Sequence, residues 1–191
     1  MLYFMDSEFI EDGKTIDLIS IGIVSSDGRE LYAQSMEFDA SKANEWVAEH
    51  VLEKLIQCDG GTRWHHDMYA RVGQWCMGRK LACGCPWRTR EQIKHEILAF
   101  MDAEKYGKPE LWGYYSAYDH VVFCQLFGTM MDLPKGFLMY TRDIKQWCDA
   151  LGNPPLPRQG KDEHNALADA KHNYVMWKFL DAWAKTKLIG Y

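Results

Sequence analysis

The first 39 residues constrain the fold more than any other stretch. Leu2 to Phe9 is apolar with interspersed acids, and Thr15 to Ser25 is rich in β-branched residues and stops at Ser26-Asp27-Gly28. An Asp-Gly pair between strand patterns favours a tight hairpin turn. Glu30 to Phe38 then alternates apolar and polar residues, so the chain opens with a three-stranded antiparallel meander. Helical spacing follows. Val47, Val51, Leu52 and Leu55 mark a helix over Ala43 to Ile56, and Ile93, Ile97, Leu98 and Met101 mark another over Glu91 to Met101. Glu110 to Tyr115 reads as a strand, Asp119 to Met131 as a helix, Leu138 to Tyr140 as a strand and Asp143 to Leu151 as a helix. Asn153-Pro-Pro-Leu-Pro157 cannot be helical, and a last helix is expected over about Asn165 to Lys185. This alternation is of the α/β class.

With 191 residues and 47% hydrophobic content, the chain suits one domain spanning residues 1–191. Residues 58–88 stand apart: paired glycines, weak periodicity and the bases Arg63, Arg71, Arg79, Lys80 and Arg88 mark an insertion carried by that domain. The formal charge is −5, whereas broad phosphate binding usually requires a basic excess, so any polynucleotide would be gripped locally. No apolar run approaches the roughly 20 residues of a membrane span, and the N-terminus begins with a strand pattern instead of a charged leader. A cytoplasmic protein without membrane partners is therefore expected, with the six scattered cysteines reduced.

Five residues carry the chemical signal. Asp6 and Glu8 lie two apart on a strand, so both project to one side and can share a cation, for which hard oxygen ligands favour Mg²⁺ or Mn²⁺. Chance supplies about one Asp-x-Glu in a chain with 27 acids among 191 residues, and Asp102-Ala-Glu104 is a second copy. That copy follows a helical pattern, where residues two apart point in nearly opposite directions. Asp119 falls where strand gives way to helix, the end of α/β strands where ligands collect; an acid in a helix's first turn is also simply favoured there. His164 and Asp169 form the one His-x4-Asp in the chain. Five helical residues turn about 140° past a full turn, so His164 should lie on the turn leading into the helix and Asp169 one turn inside. Imidazole, with a reference pKa of about 6.5, suits His164 to take a proton from water.

The ordered set Asp6-x-Glu8, Asp119 and His164-x4-Asp169 resembles the DEDDh exonucleases of the ribonuclease T and proofreading superfamily. Met5 to Ser20, Leu111 to Asp119 and Glu163 to Ala170 are similar to the small bacterial and phage 3′-5′ exoribonucleases of the mycobacterial type. The resemblance implies a ribonuclease H-like fold: a five-stranded mixed sheet, second strand antiparallel, flanked by helices. It also implies two divalent cations, one held by Asp6, Glu8 and Asp169 and the other by Asp6 and Asp119, with His164 as general base. Ser7, Phe9 and Tyr118 would contact the terminal nucleotide. The implied activity is release of nucleoside 5′-monophosphates from RNA 3′ ends or 3′ overhangs, with single-stranded DNA as the alternative substrate. Dimerisation is suggested only by the likeness to ribonuclease T, whose paired subunits share the substrate.

Three other readings compete. A non-catalytic nucleic-acid-binding module would be expected to lose at least one of the five residues, and all five are present. Cys76, Cys83 and Cys85 with His65 or His66 offer zinc ligands, at a spacing that matches no standard finger. The insertion's bases, with Trp64, Trp75 and Trp87, could form a basic, aromatic substrate grip.

Overall fold

The structure is a computed structural model, and it describes residues 1–56 and 85–188. The meander forms as the turn chemistry dictates: β1 (Leu2–Glu11), β2 (Ile16–Ser25) and β3 (Glu30–Ser35) run antiparallel in sequence. Gly28 closes the second hairpin with φ at +89°, a conformation most side chains resist. After α1 (Glu45–His50) the described chain resumes with β4 (Trp87–Arg88), α2 (Arg90–Phe100), α3 (Ala103–Tyr106), β5 (Glu110–Gly113) and α4 (Ala117–Gln125). It ends with β6 (Arg142–Asp143), α5 (Ile144–Ala150) and α6 (Ala166–Leu188).

The sheet order is β4-β3-β2-β1-β5-β6, with β2 alone antiparallel to its neighbours. The described sheet therefore has six strands, against the five expected from sequence. The addition is β4, where two residues of the expected insertion pair with Gln34 and Ser35 at the edge of β3. A two-residue strand has no periodicity to read. Trp87 is buried, and its indole Nε1 donates to the Ile56 carbonyl, while Arg88 pairs with Glu96. Buried, Trp87 offers no open ring face to a substrate. Cys85 is buried beside Trp87 in the same apolar cluster. Cys76, Cys83, His65, His66, Arg63, Arg71, Arg79, Lys80, Trp64 and Trp75 lie outside the described residues.

Three expected elements are shifted. The strand at Leu138 to Tyr140 is replaced by β6, because Met139 and Tyr140 are exposed and ladder bonding to β5 begins only at Arg142. The helix over Ala43 to Ile56 is short, starting at the Asn44 cap and giving way to a 3-10 turn, Leu52–Lys54. The helix from Asp119 stops at Gln125; Gly128 takes φ +122° and a Thr129–Asp132 capping box turns the chain. Asp102, in the second Asp-x-Glu, caps α3 by accepting from the Glu104 and Lys105 amides. Among the described residues no helix is long and apolar enough to cross a membrane.

Strand alternation divides β1 between two layers. Tyr3 and Met5 pack with Ile93, Ile97 and Phe123 of α2 and α4, whereas Phe4 packs with Ile144, Met176 and Leu180 of α5 and α6. Asp6 and Glu8 follow Phe4 onto the α6 face. Helix α6 reaches them because Gly22, paired with Asp6 on β2, has no side chain: a Cβ there would meet the Ala166 carbonyl oxygen at 2.3 Å. A Gly22→Ala variant should lose about 1–3 kcal/mol of stability in urea unfolding, because backbone and not a flexible side chain must move. Unchanged stability would show that the start of α6 is free to shift.

Candidate active site

The site is built on a strand edge left open. β5 pairs with β1 only from Leu2 to Phe4, so from Met5 onward that edge of β1 has no neighbouring strand among the described residues. Side chains satisfy its polar groups instead. Asn173 of α6, buried, donates from Nδ2 to the Met5 carbonyl at 2.9 Å. The Ser7 amide donates to Asp119 Oδ1 at 2.8 Å, and the Ser7 hydroxyl donates to the same oxygen at 2.6 Å. Asp119 thereby bends over the edge of β1 from the first turn of α4.

Asp169 arrives from the opposite layer, one turn into α6. Its Oδ2 accepts from the His164 amide at 2.9 Å and its Oδ1 from Gln159 Nε2. The Asn165 side chain caps the helix by accepting from the Ala168 amide at 3.1 Å. His164 precedes that cap with φ at +63°, outside the regular helix as the five-residue spacing requires. Its ring meets the edge of Trp46 at 4.8 Å, and Trp46 stacks on His50, also at 4.8 Å. The Lys54 ammonium donates to the Glu163 carbonyl and ties this turn to the segment after α1.

Four carboxylates and one imidazole thus meet in a cleft of about 490 Å³. One ligand atom each from Glu8, His164 and Asp169 lie within 4.8 Å of one another. Burial and then the charges of Asp119, Glu8 and Asp169 push the Asp6 carboxyl well above its usual range. Burial, then Asp169 and Asp119, push Glu8 to about 8. Burial raises Asp119 to about 6, against the lowering effect of its two bonds from Ser7, and burial also raises Asp169. A set of buried acids that repel one another in this way is costly without a cation among them. Its oxygen-rich donors fit a hard divalent ion.

All five residues singled out in the sequence come together, and the three expected at the terminal nucleotide lie around them. Ser7 and Phe9 line the cleft. Ser7 is buried and directs both its donors, amide and hydroxyl, to Asp119. Tyr118, half-exposed, sits beyond Phe9 with ring centroids 5.9 Å apart. The sequence reading missed Gln159, Asn173 and Trp46. Asn173 carried a usable signal, lying four residues after Asp169 and so on the same helical face. Gln159 and Trp46 carried none, being placed by loops.

A family model described as the 3′-5′ exoribonuclease Rv2179c-like domain matches residues 1–180, and the chain belongs to that family. Over 171 residues it is 40% identical to the 3′-5′ exoribonuclease Rv2179c of Mycobacterium tuberculosis (strain ATCC 25618 / H37Rv), covering 90% of this chain and 88% of the relative. The 3′-5′ exoribonuclease MT2234.1 of Mycobacterium tuberculosis (strain CDC 1551 / Oshkosh) matches to the same extent.

The raised carboxyl pKa values have a testable sign. Glu8 titrates near 8 in the folded chain and at about 4.3 when unfolded, so the folded state binds the extra proton. Metal-free protein should therefore lose stability as pH rises from 5 to 8. In thermal melts with chelator, Glu8→Gln should stabilise the protein at pH 8 and lose that advantage at pH 5. An equal effect at both values would show that Glu8 is not strained by its neighbours.

Proposed function

We propose that this cleft hydrolyses the last phosphodiester of an RNA chain and releases nucleoside 5′-monophosphates from the 3′ end. The observation that supports it most is the convergence of Asp6, Glu8, Asp119, Asp169 and His164 at the open edge of β1. Family membership supports the same activity, since the named relatives are 3′-5′ exoribonucleases. In a ribonuclease H-like arrangement Asp6, Glu8 and Asp169 would hold one divalent ion, and Asp6 with Asp119 a second. Mg²⁺ or Mn²⁺ bound there would acidify the attacking water and neutralise charge growing on the departing 3′ oxygen.

The remaining work falls to the chain itself. His164 accepts the water's proton, with its ring steered by the edge of Trp46 and its backbone held by Asp169. Ser7 orients Asp119 by two hydrogen bonds to one oxygen, leaving the other oxygen for the ion. Gln159 and the His164 amide hold Asp169, each bonding one of its oxygens. Phe9 and Tyr118 offer ring surfaces to the terminal base. Asp119 is only 7% exposed, so the terminal nucleotide must be unpaired for its phosphate to reach this depth. Single strands and 3′ overhangs are therefore the favoured substrates.

With 5′-labelled RNA and Mg²⁺ or Mn²⁺, the wild-type protein should shorten the strand stepwise and release 5′-monophosphates. Asp6→Ala and Asp169→Ala should abolish release, and His164→Ala should slow it by about 10²–10⁴-fold. Asp102→Ala, at a helix cap, should leave the rate unchanged. Internal cuts, or undiminished release by Asp6→Ala, would overturn the reading; faster cutting of matched single-stranded DNA would reassign the substrate.

A further inference from the structure

The cleft continues past the carboxylates into a wing that the proposed chemistry does not use. Its walls are Tyr114, Leu156, Pro157, His172 and Met176. Met176 lies seven residues beyond Asp169 on α6, about 10 Å along the helix axis. Met176, at the far end of this lining, is thus more than a nucleotide's length along α6 from Asp169. The wing's lining is mostly apolar and includes a tyrosine.

Tyr115 adjoins Tyr114 through its ring, with centroids 4.5 Å apart at 61°, and it is 64% exposed. Its φ is +54°, in the left-handed region. Among the described residues, two other non-glycine residues share that region: Asn153, a residue type that tolerates it, and His164, the proposed base. A large aromatic is the least suited of the three. The surrounding backbone nonetheless allows no escape. Ser116 is buried and its amide donates to Asp143 Oδ2 at 3.0 Å, while the Ala117 amide donates to the Tyr115 carbonyl at 3.0 Å. Asp143 is itself fixed as the cap of α5. Strain held this firmly beside a cleft, on an exposed ring, points to a contact made in the bound state.

Resting on the exonuclease reading of the carboxylates, we infer that Tyr114 and Tyr115 form a rigid stacking platform for the penultimate base of the RNA. The terminal base would lie toward Phe9 and Tyr118, and the scissile phosphate between the two aromatic pairs. Stacking on a ring tolerates any base, so the platform would add affinity without sequence preference. A preordered platform loses little entropy on binding, which gives a reason to keep a strained tyrosine where glycine would fit freely.

The test is a cycle of binding measurements on the full chain with a single-stranded RNA hexanucleotide in Ca²⁺. Removing the penultimate base should weaken wild-type binding by about 10-fold. Tyr114→Ala and Tyr115→Gly should weaken binding of intact RNA by a similar factor and become insensitive to the missing base. Removal of the terminal base should cost all three proteins equally. Tyr115→Phe should behave as wild type, and Tyr115→Gly should melt no lower than wild type, since it relieves the backbone. A penultimate-base effect that persists in Tyr114→Ala and Tyr115→Gly, or wild-type binding indifferent to that base, would overturn the platform. Wild-type protein that shows the expected cycle yet cuts no RNA in Mg²⁺ or Mn²⁺ would overturn the proposed hydrolysis alone.

Discussion

Among the described residues the edge of β1 beyond Phe4 has no neighbouring strand, and the cleft follows from how that edge is completed. A buried strand edge cannot leave amides and carbonyls without partners. Here the partners are side chains from two different layers: Asp119 from α4 takes the Ser7 amide, and Asn173 from α6 gives to the Met5 carbonyl. Each bond satisfies the backbone and also brings a helix to the acids of β1. The same bonds that finish the sheet therefore assemble the site, and the short length of β5 is a functional dimension of the fold.

The arrangement concentrates negative charge, which Lys54 beside Glu8 and His164 beside Asp169 offset in part. Asp6, Glu8, Asp119 and Asp169 all have their carboxyl pKa values pushed upward, with burial the first cause in each. Within the cleft, the hydrogen bonds to Asp119 and Asp169 favour the ionised forms, yet do not overcome burial. A stable protein would not choose this set for its own sake. The bonds from Ser7 and Gln159 relieve part of the burial cost by stabilising the ionised carboxylates and fixing their orientation.

Much of this was legible in the sequence where a period or a spacing carried it. Alternation placed Asp6 and Glu8 on one face, and the five-residue gap placed His164 outside the helix and Asp169 within it. The meander was readable from β-branched runs and an Asp-Gly turn. What escaped was non-local. β4 is two residues long and exists because β3 has an edge to fill. The Leu138 to Tyr140 run looks like a strand by composition, but Met139 and Tyr140 face solvent. Gly22 reads as an ordinary glycine in a strand until α6 is seen to press on it. Ser7 stands out only as a nucleotide contact implied by the resemblance, and its two hydrogen bonds to Asp119 depend on a helix more than a hundred positions away.

The backbone at His164 and Tyr115 shows how local rules yield to the site. Both residues take positive φ, and each is held by a carboxylate from another element: Asp169 accepts the His164 amide, and Asp143 accepts the amide following Tyr115. In each case one acid anchors the loop and also belongs to a helix start, so the loop cannot relax without disturbing that helix. Rigid helices thereby export their precision to two loops that would otherwise move. His164 gains a fixed approach to Asp169 and Glu8, and Tyr115 a fixed ring against Tyr114. The strain at both positions is thus consistent with a chain selected for the placement of a few side chains and not for backbone ease.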